Sequence, residues 1–188
     1  KQTYNINNQV CQRRPRKDWD LTYVPHGIDE KEYHPVEPLD GKLLEVKEQF
    51  FGTDPIDFVA FFNSRNIQRK RPSDLIQGFK MFLDEIGPEK AERCGMIMHT
   101  TPIDQHGTDL PKVADVLAPN AKIKFSSAKI SSKDLNILYN LADVTCQPSS
   151  AEGFGLSIME SLMAGTPVLA SCIGGIPDQM GLIKSDGT

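Results

Sequence analysis

Little in this sequence is suited to crosslinking, membrane insertion or nucleic-acid binding. The four cysteines, Cys11, Cys94, Cys146 and Cys172, lie far apart with no C-x-x-C pair. That spacing indicates neither a disulfide framework nor a cysteine-based zinc site, and a reducing, cytoplasmic setting fits it best. No apolar run approaches the ~20 residues of a membrane-spanning helix, and no segment reads as a secretory signal. Positive charge is short: 21 Lys and Arg stand against 25 Asp and Glu, a net charge of −4. This balance argues against a general nucleic-acid binder. The local basic run Arg13-Arg14-Pro15-Arg16-Lys17 reads as solvated surface, with contact to an anion as the alternative. Internal repeats and low-complexity tracts are also missing. What is present, 188 residues with 39% hydrophobic and 24% charged, suits one medium domain with a real core, or one domain and a piece of another.

From about residue 57, short β-rich runs alternate with helical patterns. Asp57-Phe-Val-Ala-Phe-Phe62 reads as a buried strand, after which Leu75, Ile76, Phe79, Phe82, Leu83 and Ile86 recur at helical spacing until Gly87-Pro88. Met96–His99 is a second strand. Asp109 caps a helix that tolerates Pro111 in its first turn and carries Leu110, Val113, Ala114 and Leu117. Ile123–Phe125 is a third strand. Ser131 and Asp134 resemble a capping box that opens the helix of Leu135, Leu138, Leu141 and Ala142. Val144–Cys146 and Pro167–Ser171 are the fourth and fifth strands, with a helix between them that stops at Gly165. Strands separated by helices predict an α/β fold, a doubly wound, Rossmann-like parallel sheet with right-handed crossovers.

Residues 1 to about 56 break that rhythm. Leu21-Thr-Tyr-Val24 looks like a strand running into Pro25-His-Gly27, and "EYHPVEPLDG" is rich in proline and polar residues, as an interdomain linker would be. Residues 1–36 are therefore expected to be the tail of a preceding domain with its linker, and residues 37–188 a Rossmann-like domain.

Open parallel sheets bind ligands outside the carboxyl ends of their strands. The loops there are 63–72, 100–108, 126–131, 147–154 and 172–178. The first carries Arg65, Arg69, Lys70 and Arg71, a dense cationic loop in an acidic protein. Arginine forks and a lysine point charge suit a diphosphate; an exposed turn is the alternative.

The stretch Glu152-Gly-Phe-Gly-Leu-Ser-Ile-Met-Glu160 places two carboxylates eight positions apart around the start of a helix. Gly153 and Gly155 let backbone N–H groups approach a ligand, and the helix dipole favours an anion. Leu156, Met159 and Met163 form an apolar stripe that also holds Glu160, so Glu160 is expected against the sheet and in need of donors such as ribose hydroxyls. Alternatively, Glu152 is a helix-start glutamate steadied by the dipole, and Glu160 pairs with a Lys or Arg.

"PSSAEGFGLSIMESLMAGTPVLAS" followed by "GGIPD" resembles the signature of the retaining glycosyltransferases of family 4, which have the GT-B fold of two Rossmann-like domains. Glu152 and Glu160 fit the family's Glu, seven residues, Glu spacing; Asp178 stands where Glu is usual. Arg65 and Lys70 match an Arg followed five positions later by Lys, with Arg71 where Gly often follows. "VPHGIDEKEYHP" is similar to the segment leading into the family's linker, with His26 at a place usually held by Asn.

The resemblance implies the C-terminal, donor-binding half of a hexosyltransferase that moves a hexose from a UDP- or GDP-linked sugar to an acceptor hydroxyl with retention. Arg65 and Lys70 would contact the diphosphate. Glu152, with the adjoining Gly153, Phe154, Gly155 and Leu156, would contact the transferred sugar, and Glu160 the ribose. Ser126, Ser127 and Ile130 would lie near the base. Glu152, Arg65 and Lys70 would carry the catalysis. No metal or other cofactor is implied, since the cationic pair can neutralise the leaving diphosphate. The missing N-terminal domain would bind an acceptor glycan, lipid or protein, and any contact with a membrane periphery would be made through it. On its own, the segment is expected to be inactive. A non-catalytic nucleotide-sugar-binding module and a GT-B nucleotide-sugar epimerase remain as alternatives. His26, His99 and His106 read as turn, structural or solvent-facing residues, and Trp19 as a packing residue.

Overall fold

The computed structural model of the protein describes residues 2–13, 22, 24 and 26–182. Along the chain these form helix α1 (Gln2–Arg13), helix α2 (Gly41–Phe51), strand β1 (Phe58–Asn63), a 3-10 turn (Gln68–Lys70), helix α3 (Pro72–Ile86), the short helix α4 (Pro88–Ala91) and strand β2 (Cys94–His99). Helix α5 (Leu110–Leu117), strand β3 (Lys122–Ser126), helix α6 (Ser132–Leu141), strand β4 (Val144–Gln147), helix α7 (Leu156–Met163), strand β5 (Val168–Ala170) and the short helix α8 (Ile176–Gln179) follow.

The strands make one parallel sheet in the order β3-β2-β1-β4-β5. This is the doubly wound sheet expected from the sequence, and its order reverses between β1 and β4. Central strand β1 is covered on both faces, which explains its unbroken apolar run. Val59 and Phe61 join a core with α2, α6 and the end of α7. Ala60 and Phe62 join another with Ile76, Phe79 and Leu83 of α3 and Leu110 of α5.

The caps form as their residue types dictate: Asp109 accepts from the N–H of Lys112, and Ser131 from the N–H of Asp134. Gly87, at φ 83°, ends α3, although Pro88 at once opens another turn. Helix α2 is absent from the expectation. Asp40 caps it, and Leu43 and Phe51 bury its inner side; charged residues between them mask the period, and the packing against α6 stabilises it. Thr22 and Val24 form no strand, and Leu21, Tyr23, Trp19 and the basic run beyond Arg13 lie outside the described residues.

The segment before α2 is tied to α6. Asn136 and Asn140 both donate to the His34 carbonyl, Asn140 accepts from the N–H of Val36, and Tyr33 is buried in the core beside Phe61 and Tyr139. Among the described residues, no helix is long and apolar enough to cross a membrane.

Candidate functional site

The sheet reversal leaves a cleft of about 680 Å³ beyond the carboxyl ends of β1 and β4. The loop after β1 supplies its cationic wall. Asn66, fully buried, fixes that loop: its amide donates to the carbonyls of Pro102 and Thr108 and accepts from the N–H of Thr108. Arg71 ends the 3-10 turn at φ 52° and, among the described residues, is the one non-glycine with positive φ. The left-handed turn that a glycine would provide is therefore kept with arginine in its place. This turn presents Lys70, which is only 9% exposed.

The loop after β4 is stitched to the same turn. The Ser150 N–H donates to the Arg69 carbonyl at 2.8 Å, and the Arg69 guanidinium donates to the Ala151 carbonyl at 2.8 Å. Glu152 is thereby brought onto Lys70, to which it is hydrogen-bonded and ion-paired. Ser149 Oγ donates to the same carboxylate oxygen at 2.7 Å, and Arg69 Nη1 lies 3.5 Å from the other. Burial pushes the Glu152 carboxyl up, but the Lys70 and Ser149 hydrogen bonds, with the charges of Lys70 and Arg69, outweigh it and hold the group below the usual carboxylate range.

Gly155, at φ 87°, precedes the first turn of α7. The loop that carries "GGIPD" braces this start. A Cβ on Gly174, itself at φ +57°, would lie 1.8 Å from the Glu152 carbonyl oxygen, and one on Gly175 would lie 2.3 Å from that of Gly153. The Gly175 N–H donates to the Gly153 carbonyl, and Gln179 donates to that of Phe154. The paired glycines are thus required by close backbone approach beneath Glu152.

Glu160 is half-buried and lines the cleft. It meets α6 rather than the sheet: Tyr139 Oη donates to Glu160 Oε2 at 2.7 Å and accepts from Asn63 Nδ2 at 2.8 Å. Gln147, buried at the end of β4, donates to the Asn63 carbonyl and to Ser157 Oγ, joining β1, β4 and α7. The apolar stripe expected on α7 is corrected accordingly. Ile158 and Ser161 are buried, with Ser161 bonded to Thr145 and the Thr166 carbonyl, whereas Leu156 is 47% exposed in the first turn beyond the strand ends.

Arg65, Lys70, Ser126, Ser127, Glu152, Phe154, Gly155, Leu156 and Glu160 all line the cleft. Two expected neighbours do not. Ile130 packs against the core with α2 and lines a separate hollow, because α6 begins immediately after it. Gly153 points its carbonyl into the bracing loop. Arg69, expected in the cationic loop, lines the cleft, and Asn63, His99 and Tyr139, which the sequence reading does not place there, belong to the site or its support. The position of Asn63 and His99 at strand ends is the signal that could have found them. His99 Nδ1 lies 2.9 Å from Ser126 Oγ, and burial pushes its pKa down. His26, read as a turn residue, reaches the cleft and packs its ring 4.7 Å from that of Phe154. His106 is exposed. Among the described residues, no three His, Cys, Asp or Glu side chains come together as a metal site would need. The one Asp-x-Asp, Asp18-Trp19-Asp20, lies outside them.

Residues 46–185 match the family described as glycosyl transferases group 1. The chain is 30% identical over 167 residues to the trehalose synthase of Rubrobacter xylanophilus, a match that takes in 85% of this chain and 38% of that protein. It is 40% identical over 68 residues to the D-inositol 3-phosphate glycosyltransferase of Mycobacterium tuberculosis, covering 36% of this chain and 14% of that one. The chain thus spans well under half the length of these relatives. Among solved structures, the Anabaena protein HepE in complex with UDP-glucose superposes with a TM-score of 0.67 at 22% identity, over 94% of this chain and 44% of that one. The C-terminal domain of a Francisella tularensis glycosyl transferase group 1 family protein does so with a TM-score of 0.63 at 20% identity, over 81% of this chain and 74% of that domain. These likenesses show a shared fold, that of the C-terminal Rossmann-like domain of GT-B glycosyltransferases.

Proposed function

This chain belongs to the glycosyl transferases group 1 family, and from that membership we propose that it is the donor-binding half of a retaining hexosyltransferase. The observation that carries the reading is the convergence of Arg65, Lys70, Glu152 and Glu160, from loops and helices far apart in sequence, on one cleft at the sheet reversal. The diphosphate of a UDP- or GDP-linked sugar lies between Arg65, Lys70 and the first turn of α7, where cations and free N–H groups meet developing negative charge. Glu152 accepts hydroxyls of the transferred sugar, and Glu160 those of the ribose.

In the step itself, the bond from the anomeric carbon to the β-phosphate oxygen breaks and the electron pair stays on the diphosphate; the acceptor oxygen bonds to the anomeric carbon on the same face, and its proton passes to the departing β-phosphate oxygen. Arg65 and Lys70 stabilise the departing charge, so metal is not required. The acceptor, a glycan, lipid or protein hydroxyl, is held by the N-terminal domain, of which residues 1–36 are the tail and the interdomain linker, with residues 37–188 forming the donor domain. The reaction takes place in the cytoplasm. The test uses the intact protein: thermal shift with UDP, GDP, ADP and their sugars, then release of free or transferred sugar. Binding of a nucleotide-sugar without any turnover would instead mark a non-catalytic module, and interconversion of the sugar an epimerase.

A further inference from the structure

We infer that Tyr139 is a positioning residue that holds the Glu160 carboxylate for the donor ribose, and that Asn63 sets the direction of its proton. The inference rests on the reading of Glu160 as the ribose-binding group. Tyr139 is fully buried on α6, yet its hydroxyl is bonded on both sides. Asn63 Nδ2 can only donate, so it occupies a lone pair of the phenol oxygen and leaves the phenol proton for Glu160 Oε2. An asparagine–tyrosine–glutamate chain with a buried centre thus runs from Asn63 at the end of β1 to Glu160, three residues before the end of α7.

The ring is held as firmly as the hydroxyl. Phe61 lies edge-on at 5.2 Å and Tyr33, from the segment before α2, at 6.1 Å. Burial, then the Glu160 charge, push the Tyr139 hydroxyl well above its ordinary pKa, so it stays a proton donor across the working pH range. A glutamate fixed in this way has little rotamer freedom left to lose on binding, and its carboxylate retains lone pairs for a ribose diol. An unsupported glutamate on the open cleft would have to be ordered by the ligand.

The experiment measures, in the intact protein, the affinity for UDP against 2′,3′-dideoxy-UDP, or the corresponding GDP or ADP pair if that is the one the wild type binds. Tyr139→Phe should reduce the preference for the ribose form about ten-fold, as for loss of a hydrogen bond to a charged group, and leave the dideoxy affinity within about two-fold, whereas a purely structural role would weaken both ligands together. If Tyr139→Phe does not fold, Asn63→Asp serves instead: its carboxylate captures the phenol proton and should collapse the same ratio. An unchanged ratio in whichever variant folds overturns the inference. Glu160→Ala separates the two levels. If it abolishes the preference while Tyr139→Phe preserves it, only the positioning role falls; if it too preserves the preference, the ribose reading falls and takes this inference with it.

Discussion

Lys70 and Glu152 are hydrogen-bonded across the sheet reversal although 82 residues separate them in the chain. Their side chains are only 11% and 6% exposed. Each therefore offsets the other's desolvation in the cleft, and neither could be left alone there without a considerable penalty. A donor with a diphosphate and a hydroxylated sugar offers replacement partners to both, an anion for Lys70 and O–H donors for Glu152.

Arg65→Ala and Lys70→Ala should each weaken nucleoside-diphosphate binding by about 1.5–3 kcal/mol, and both should make the remaining affinity less sensitive to salt. They should differ in stability: Lys70→Ala leaves Glu152 with Ser149 and the more distant Arg69, and should lower the melting temperature more. Arg93→Ala, which breaks a pair with Asp57 outside the cleft, should not change nucleotide affinity. Titration calorimetry at two salt concentrations checks all three, and equal losses of affinity would point to a general surface field.

The glutamates should separate by ligand. Glu160→Ala is expected to weaken free nucleoside diphosphate and nucleotide-sugar alike. Glu152→Ala should spare the free diphosphate and impair the sugar-bearing donor and its turnover, by about ten- to a hundred-fold. Losses of thermal stability without this division would oppose the donor-site assignment.

Acid should act through Glu152. Its carboxyl is held below the ordinary value of 4.5, so the stabilisation it contributes is complete above that pH and disappears as pH falls through the lower folded-state value. Glu152→Gln should accordingly melt below the wild type near neutral pH, and the gap should narrow progressively as the pH is taken below 4.5. A gap that does not change with pH would mean that the carboxylate is not charged in the folded protein.

Gly174→Ala should be severe for its size. The added Cβ meets the Glu152 carbonyl oxygen, and the backbone there is left-handed. A cost on the order of 1–3 kcal/mol is expected from overpacking, with about 1 kcal/mol more from the backbone. Gly78→Ala, where a Cβ meets nothing within 4 Å on an α3 helix position, should be neutral or stabilising. Chemical denaturation of the two variants side by side decides it.

The sequence by itself determined the alternation of strands and helices after residue 57, because β-rich apolar runs, Asp109, Ser131 and the Gly-Pro stop are local signals. It also determined the spacing of Glu152, Glu160, Arg65 and Lys70, which reflects chemistry carried by residue type. It did not reveal α2, whose apolar residues make sense only against α6, or the burial of Ile158 and Ser161 in place of Leu156. Partnership was decided by tertiary structure alone. That Glu160 takes the Tyr139 hydroxyl as a partner follows from the packing of α6 on α7, and that Glu152 takes Lys70 follows from the β1 and β4 loops lying side by side. His26 came to Phe154, and Gly174 beneath Glu152, for the same reason: these residues, distant in the chain, meet beyond the carboxyl ends of the strands, and no local pattern encodes that meeting.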